Sequence, residues 1–164
     1  MSDLAGLSAV VITVSDRRAR GEADDTAGPA IADALAGQGA HVTTRVVPDG
    51  VDSVRMALEA AIALGARVVV TTGGTGVAPR DLTPEATAPL IERDLPGVAE
   101  LLRREGAQST PAAALSRGRA GLTAGPRPAL VVNLPGSQRG ASEGIATLLT
   151  VVPHLLSQVD GGDH

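Results

Sequence analysis

The segment that most constrains the fold is a run of β-branched residues that ends in a cluster of glycines. Residues 68–72 read Val-Val-Val-Thr-Thr, and the next four residues read Gly-Gly-Thr-Gly. A continuous β-branched run is typical of a parallel strand that is buried on both faces. The glycines remove side chains at the strand end, so backbone N–H groups could close around a phosphate there, although a tight turn accounts for them equally well.

Other segments have the pattern of strands, and helical patterns separate them. Strands are predicted over residues 9–14, 41–47, 67–72 and 129–133. Apolar residues at three- and four-residue spacing predict the helices. These begin at Pro29, at a cap formed by Asp52 and Ser53, at Thr83 and after Pro96-Gly97, and Pro153 kinks or ends the last one. The alternation predicts an α/β fold with three layers, α/β/α, around an open and mostly parallel sheet.

In folds of this class, ligands bind beyond the carboxyl ends of the strands. The loops at Ser15, at 73–76 and at 133–137 are therefore expected to line one pocket. Asp49 lies in a Pro-Asp-Gly turn, which by itself needs no function. Asp49 becomes a stronger candidate for the site because the end of the second strand is expected to lie beside the end of the third.

The composition limits the chemistry. The chain has no Phe, Tyr, Trp or Cys, and all 14 of its basic residues are Arg. Lysine and cysteine nucleophiles, a Walker A lysine and iron–sulfur clusters are therefore excluded. The three histidines are far apart and have no metal-ligand spacing. A flat heterocycle would have to be held by aliphatic walls, backbone groups or an arginine plane.

Charge and length narrow the class of protein. The formal net charge is -4, and no basic run occurs, so nucleic-acid binding is not expected. No segment has the length and apolarity of a membrane span. The 164 residues are expected to form one domain, 1–164, in which 160–164 is a frayed tail. These features favour a cytoplasmic enzyme or binding module.

Charged residues follow the glycines directly. Arg80 offers a cation for phosphate oxygens, and Asp81 offers a hard oxygen ligand for Mg²⁺. Asp81 could instead cap the helix that begins near Thr83. The segment 116–121, Ser-Arg-Gly-Arg-Ala-Gly, is either a flexible solvated loop or a wrap around an anion. The amide of Asn133 could read the edge of a heterocycle or cap the next turn.

Six ordered markers together resemble the molybdenum cofactor biosynthesis family that adenylylates molybdopterin, which includes the G domain of gephyrin. The resemblance extends from Val10 to about Leu156. The markers are Thr13-Val14-Ser15-Asp16, Val47-Pro48-Asp49, Gly73-Gly74-Thr75-Gly76, Pro79-Arg80-Asp81-Leu82-Thr83-Pro84-Glu85-Ala86-Thr87, Leu115-Ser116-Arg117 with Gly121, and Asn133-Leu134-Pro135-Gly136.

The resemblance implies an activity and an assembly. Members transfer AMP from ATP to the terminal phosphate of molybdopterin, release pyrophosphate and require Mg²⁺. They usually form homotrimers, and a molybdenum insertase can receive the product. By the same resemblance Asp49 and Asp81 are the catalytic and metal-handling carboxylates. The residues implied to bind ligand are Ser15, Gly73, Gly74, Thr75, Gly76, Arg80, Ser116, Arg117, Asn133, Pro135 and Gly136.

The sequence departs from the family pattern at two places. The family often follows Leu-Pro-Gly with Ser-Pro-Lys, whereas this chain has Ser137-Gln138-Arg139, and Ala27 replaces a serine before Gly28. Gln138 and Arg139 are therefore left outside the predicted site.

Three other functions compete with adenylyl transfer. A non-catalytic molybdopterin-binding protein is the main alternative, and the presence of both Asp49 and Asp81 argues for the enzyme. A scaffolding domain would be expected to carry a linker or second domain. A dinucleotide-binding oxidoreductase would need G-x-G-x-x-G after its first strand, and this chain lacks that motif there.

Overall fold

The computed structural model describes residues 3–162 and has a six-stranded sheet at its centre. Its strands lie in the order β2-β1-β3-β6-β5-β4. The pairs among β1, β2, β3 and β6 are parallel, whereas β4 and β5 add an antiparallel edge. The strand bounds are β1 Ser8–Val14, β2 His41–Val47, β3 Val68–Thr72, β4 Arg93–Asp94, β5 Ala120–Leu122 and β6 Leu130–Leu134.

Helices cover both faces of the sheet. Their bounds are α1 Asp16–Ala19, α2 Ala27–Gly37, α3 Val51–Ala63, α4 Thr83–Thr87, α5 Pro96–Ser109, α6 Gln138–Leu149 and α7 Val152–Val159. Short 3-10 helices occupy Ala88–Leu90 and Pro111–Leu115. Alternate residues of β1 pack into two cores: Val11 lies with α2, α6 and α7, and Ile12 lies with α3 and α4. This period of two produces the three-layer α/β/α fold and confirms the predicted class.

The strand order corrects one expectation about the site. Strand β1 pairs with β2 on one side and with β3 on the other, so Val11 has Thr44 and Val70 as its two partners. The sequence predicts that the end of β2 lies beside the end of β3. This prediction is wrong, because β1 lies between the two strands. The residues that follow β1 therefore lie between Asp49 and the glycine segment that follows β3.

Several helix starts also differ from the sequence prediction. Helix α3 begins at Val51 after Gly50, whose φ is 125°, so Asp52 and Ser53 do not form its cap. The Ser53 hydroxyl instead donates to the Pro48 carbonyl at 2.6 Å. Pro153 lies in the first turn of α7, which means that α6 ends before it and the chain starts a new helix.

Hydrogen bonds hold the segment that follows β1 and the end of the described chain. In the segment 15–25, Ser15 caps α1 and Arg18 Nε donates to the Asp24 carbonyl at 2.9 Å. In the tail, Asp160 accepts from Arg67 Nη2 at 2.8 Å, and residues 163–164 lie outside the described part of the chain. Among residues 3–162, no helix has the length and apolarity needed to cross a bilayer.

Candidate functional site

The residues 73–76, called the glycine turn below, pack tightly against two neighbouring strand ends. Gly73 has a φ of 104°, and a Cβ on it would lie 2.3 Å from the Val14 carbonyl oxygen. Its N–H donates to the Leu134 carbonyl at 3.1 Å. The ends of β1, β3 and β6 thus meet at the turn, and only glycine can occupy position 73 there.

The carbonyl groups of the glycine turn are held, whereas several of its N–H groups are not. The Thr83 hydroxyl donates to Gly73 O at 2.9 Å, and Thr83 N donates to Gly74 O at 3.1 Å. Within residues 3–162, the N–H groups of Gly74, Thr75 and Gly76 have no acceptor. A short run of backbone donors at a strand end is suited to an anion such as phosphate.

Asp81 folds back onto the glycine turn. Its Oδ2 accepts from Ala78 N at 3.1 Å, and a Cβ on Gly76 would lie 2.8 Å from the same oxygen. The residue before α4 is Leu82, and α4 has no side-chain cap, so the capping role considered for Asp81 is not present. Its other oxygen, Oδ1, has no hydrogen-bond partner in the described chain.

Arg117 stabilises the glycine turn from the other side. Its Nε donates to Gly76 O at 2.8 Å, and its backbone N donates to Thr75 O at 2.8 Å. The guanidinium also binds the Asp81 carbonyl and forms an ion pair with Glu85. The hydrogen bond from Arg117 lowers the pKa of Glu85 below its ordinary value. Arg117 is therefore a structural link between the turn and α4, and its charge is already neutralised.

Asp16, Asp49 and Arg80 form a second group, called the carboxylate–arginine cluster below. Asp49 N donates to Asp16 Oδ1 at 3.1 Å, and Asp16 N donates to Asp49 Oδ2 at 2.9 Å. Arg80 donates to both Asp16 oxygens, from Nε at 2.7 Å and from Nη2 at 3.0 Å. The Arg80 hydrogen bond lowers the pKa of Asp16. The sequence interpretation included Asp16 in a marker but assigned it no role.

Ser15 and Ser116 lie in turns that adjoin the site. The Ser15 hydroxyl oxygen accepts from Arg18 N at 3.2 Å and caps α1. Ser116 follows the 3-10 helix, and its hydroxyl oxygen accepts from Gly118 N at 3.3 Å. Both hydroxyls can still donate a hydrogen to a ligand.

The segment 116–121 is held by hydrogen bonds and by an ion pair. Arg103 donates to Gly118 O at 3.2 Å, and Arg119 pairs with Asp94 at 2.8 Å. Residues from Ala120 continue as β5. The segment is therefore held to α5 and β4, and Arg117 and Arg119 are both paired with carboxylates.

Asn133 is buried, with 3% of its surface exposed. Its Oδ1 accepts from Arg119 N at 3.0 Å, and its Nδ2 donates to the hydroxyls of Thr71 and Thr87 at 3.0 Å each. The amide therefore joins β6 to β3, α4 and the start of β5. Both amide hydrogens are already donated to protein groups, and the amide does not cap the next turn.

A cavity of about 480 Å³ lies beside the glycine turn. A volume of this size is in the range of small-molecule sites. Five of the predicted residues line it: Thr75, Gly76, Ser116, Asn133 and Pro135. The loop that contains Pro135 reaches the turn closely, since a Cβ on Gly136 would lie 3.1 Å from Gly73 Cα.

The far wall of the cavity comes from segments that the sequence interpretation did not assign to the site. Its apolar part is aliphatic, as expected for a chain without aromatic residues: Ala99, Leu102, Ala112, Ala113 and Leu115. Its polar part contains Arg103, Ser109, Ser137, Arg139 and Glu143. Arg139, which had been excluded, is therefore a lining residue. Ser15, Asp49, Arg80 and Asp81 lie outside the lining.

The donor set for a metal ion is small. Among residues 3–162, no three His, Cys, Asp or Glu side chains cluster as a metal site. Asp49 and Asp81 each retain one carboxylate oxygen without a hydrogen bond in that part of the chain. Mg²⁺ commonly uses one or two carboxylates and completes its shell with phosphate oxygens and waters. The residues present therefore fit an ion that arrives with a nucleotide.

The architecture is that of an open α/β protein whose ligand cavity lies at the carboxyl edge of a parallel sheet. A family described as a "Probable molybdopterin binding domain" matches residues 10–155. That match covers most of the chain, and the chain belongs to this family of molybdenum cofactor biosynthesis proteins.

Similar proteins agree with this placement. The chain is 41% identical to the molybdopterin adenylyltransferase of Pyrococcus furiosus, covering 89% of this chain and 87% of that protein. It is 43% identical to a bifunctional molybdenum cofactor biosynthesis protein of Synechococcus elongatus, covering 98% of this chain but only 50% of that protein. A solved structure of MoaB from Pyrococcus furiosus, described as synthesizing tungsten cofactor, has a TM-score of 0.88 at 37% identity, covering 94% of this chain and 97% of that one.

Proposed function

We propose that this protein transfers AMP from ATP to the terminal phosphate of molybdopterin and releases pyrophosphate. The observation that carries the proposal is the glycine turn, whose N–H groups at 74–76 have no acceptor in residues 3–162. Thr75 and Gly76 line the cavity, and Asp81 folds against the turn. The similar proteins named molybdopterin adenylyltransferase, in Pyrococcus furiosus and Helicobacter pylori, support the same activity.

In this proposal the glycine turn binds phosphate oxygens of the nucleotide. The N–H groups of Gly74, Thr75 and Gly76 are the donors, and the Thr75 hydroxyl, which has no hydrogen bond in the described chain, adds another. An oxygen of the molybdopterin phosphate attacks the α-phosphorus of ATP, and the bond to the pyrophosphate oxygen breaks. The protein therefore supplies no nucleophile, which is consistent with a chain that lacks lysine and cysteine.

Asp49 and Asp81 would hold Mg²⁺ through their unpartnered oxygens. When bound, the ion would neutralise charge that develops on the phosphate oxygens. The protein's own contribution is to position the two phosphate groups and to keep the carboxylates fixed between them. Arg80 and Arg117, which were expected to neutralise phosphate, are paired with Asp16 and Glu85. This pairing leaves most of the charge compensation to backbone donors and the ion.

The aliphatic cavity is where we place the pterin. Its walls of alanine and leucine side chains can cover the faces of a flat heterocycle without aromatic stacking. From the family resemblance we also propose that the protein acts in the cytoplasm as a homotrimer. A molybdenum insertase would then receive the adenylylated product.

Turnover by the purified protein tests the proposal. The protein is incubated with molybdopterin, ATP and Mg²⁺, and pyrophosphate and adenylylated pterin are measured. We expect both products to form together, and to disappear when EDTA is added. Pterin binding without either product would instead favour the non-catalytic binding protein.

A further inference from the structure

We propose that Asp16 is a positioning residue that sets the placement of Asp49 relative to Asp81. This inference rests on the proposed adenylyl transfer and adds a residue to it. Asp16 begins α1, two residues after the end of β1, and lies between the loop that carries Asp49 and the loop that carries Asp81. Its carboxylate is hydrogen-bonded to Asp49 in the first loop and to Arg80 in the second.

Asp49 is closely held by the other two residues of the carboxylate–arginine cluster. Its N–H is bound by Asp16 Oδ1, and its Oδ2 is bound by Asp16 N. Its carbonyl accepts from Arg80 Nη2 at 3.0 Å. Three of the four polar groups of Asp49 are therefore fixed by Asp16 and Arg80. The fourth, Oδ1, is the one left for a ligand.

Arg80 links the Asp16 carboxylate to the loop that carries Asp81. Arg80 immediately precedes Asp81, and its guanidinium makes a two-point contact with the Asp16 carboxylate, at 2.7 and 3.0 Å. A planar guanidinium that meets both carboxylate oxygens is restricted in direction as well as in distance. The residue before Asp81 is therefore tied to Asp16, which also holds Asp49.

The side-chain hydrogen bonds of Arg80 stay within the carboxylate–arginine cluster in residues 3–162. Its side chain is 64% exposed, yet every hydrogen bond that it makes goes to Asp16 or Asp49 among the described residues. An exposed ion pair contributes little to folding stability. Its geometry can still matter, because misplacing a reacting group by about 1 Å can lower a rate by about a hundredfold. Arg80 and Asp16 should therefore act as one unit, and Arg80 should not act as an independent phosphate ligand.

A double-mutant cycle tests this unit. Asp16→Ala and Arg80→Ala are each expected to lower kcat by about tenfold or more, since both release the same contact. Each should raise the Mg²⁺ concentration for half-maximal rate and leave KM for molybdopterin within about twofold of the wild-type value. The double variant should be no slower than the slower single variant. Asp16→Asn, which keeps an acceptor for Asp49 N but loses the second charged oxygen, should lie between Asp16→Ala and wild type.

Two control variants remove the same charges elsewhere. Asp33→Ala and Arg127→Ala alter exposed residues that make no ion pair or side-chain hydrogen bond in the described chain. Both should retain wild-type kinetics. All variants should unfold at nearly the same temperature as wild type, because Arg80 is exposed, Asp16 is partly exposed, and such a pair contributes little to folding stability.

A second measurement does not depend on turnover. Hydrogen exchange at the Asp49 amide, followed by NMR, should be faster in Asp16→Ala and unchanged in Asp33→Ala. Only Asp16→Ala removes the carboxylate oxygen that accepts from this amide. Unchanged exchange at Asp49 in Asp16→Ala would overturn the inference. Wild-type kinetics of Asp16→Ala would also overturn it. So would a double variant whose loss of kcat equals the product of the two single losses, if Arg80→Ala alone also raised KM for ATP.

The two proposals fail in different ways. A wild-type protein without adenylyl transfer overturns the proposed function, and the exchange measurement still decides whether Asp16 holds Asp49. An active wild type with an unaffected Asp16→Ala variant overturns only the role of Asp16.

Discussion

At the scale of single residues, the site is defined by which polar groups already have partners. Asn133 and Arg117 match the family markers, but their side chains are bound within the protein. Asp49 and Asp81 each keep one carboxylate oxygen without a partner in residues 3–162. Unpartnered groups are the ones available for ligand, so these carboxylates, which lie outside the cavity lining, and the N–H groups of the glycine turn carry most of the proposed chemistry.

The Asp81 carboxylate can be tested without changing its size. Asp81→Asn keeps an oxygen that can accept from Ala78 N, but it removes the charge that would hold Mg²⁺. We expect kcat to fall by about a hundredfold or more, the range seen when one preorganised electrostatic contact to the transition state is lost. Thermal unfolding should change little. Rates near wild type in steady-state assays, at saturating Mg²⁺, would show that Asp81 does not handle the metal.

Gly73 can be tested through its backbone conformation. In Gly73→Ala the new Cβ would lie 2.3 Å from the Val14 carbonyl oxygen at a φ of 104°. We expect a loss of about 2–3 kcal/mol in the free energy of unfolding, since strain at such a position adds to a steric clash. Gly37→Ala is the matched control, because a Cβ there meets nothing within 4 Å and the residue lies in α2. Urea denaturation should therefore show no loss for Gly37→Ala.

At the scale of elements, long apolar strands were predictable and short edge strands were not. The residue patterns correctly indicated β1, β2, β3 and β6, because continuous or β-branched apolar runs are a local signal. Strands β4 and β5 have two and three residues and pair antiparallel at the edge. Their formation depends on partners that are distant in sequence, and no local pattern marks segments this short.

The ion pair between Glu85 and Arg117 links α4 to the segment before β5, and its effect should depend on pH. Because Arg117 lowers the pKa of Glu85 in the folded protein, the pair stabilises the fold above the ordinary value of 4.5. That contribution is lost as pH falls through the lowered folded pKa. We therefore expect Glu85→Gln to lower the unfolding temperature slightly at pH 7, and the difference from wild type to shrink below pH 4.

The pair is partly exposed, so the effect at neutral pH should be small. Scanning calorimetry of both proteins between pH 7 and about pH 3 measures it. Asp52→Asn, which alters an exposed pair within α3, provides a control in which little pH-dependent difference is expected. A gap between Glu85→Gln and wild type that stays constant with pH would show that the charge of Glu85 is not the cause.

At the scale of the whole molecule, contacts between distant parts of the chain form the structure at both ends of the parallel strands. At the carboxyl edge, the cavity is closed by α5, the second 3-10 helix and α6. At the opposite edge, Arg67 is 5% exposed, and its Nη2 is bound by Asp160 at the end of α7. The last helix is thereby fixed to the start of β3.

The Arg67–Asp160 contact has a testable effect on stability. Asp160→Asn removes the charged partner of a buried guanidinium, and hydrogen bonds to charged groups contribute about 1.5–3 kcal/mol. We expect a loss near the lower end of that range, because the Asp160 side chain is 55% exposed. Chemical denaturation measures the loss, and Asp33→Asn, an exposed change without a partner, should have almost no effect.

The fold class, the parallel strands, the glycine turn and the family could be predicted from the residues alone, because these depend on local runs of residue types and on ordered motifs. Which charges are free could not be predicted in this way. Asp16 and Arg80 are 64 positions apart, and Arg117 and Glu85 are 32 apart. Only the strand order brings such residues into contact. The folded chain alone therefore shows that both predicted phosphate-binding arginines are neutralised, that Asp16 adjoins the site, and that the cavity wall comes from α5 and α6.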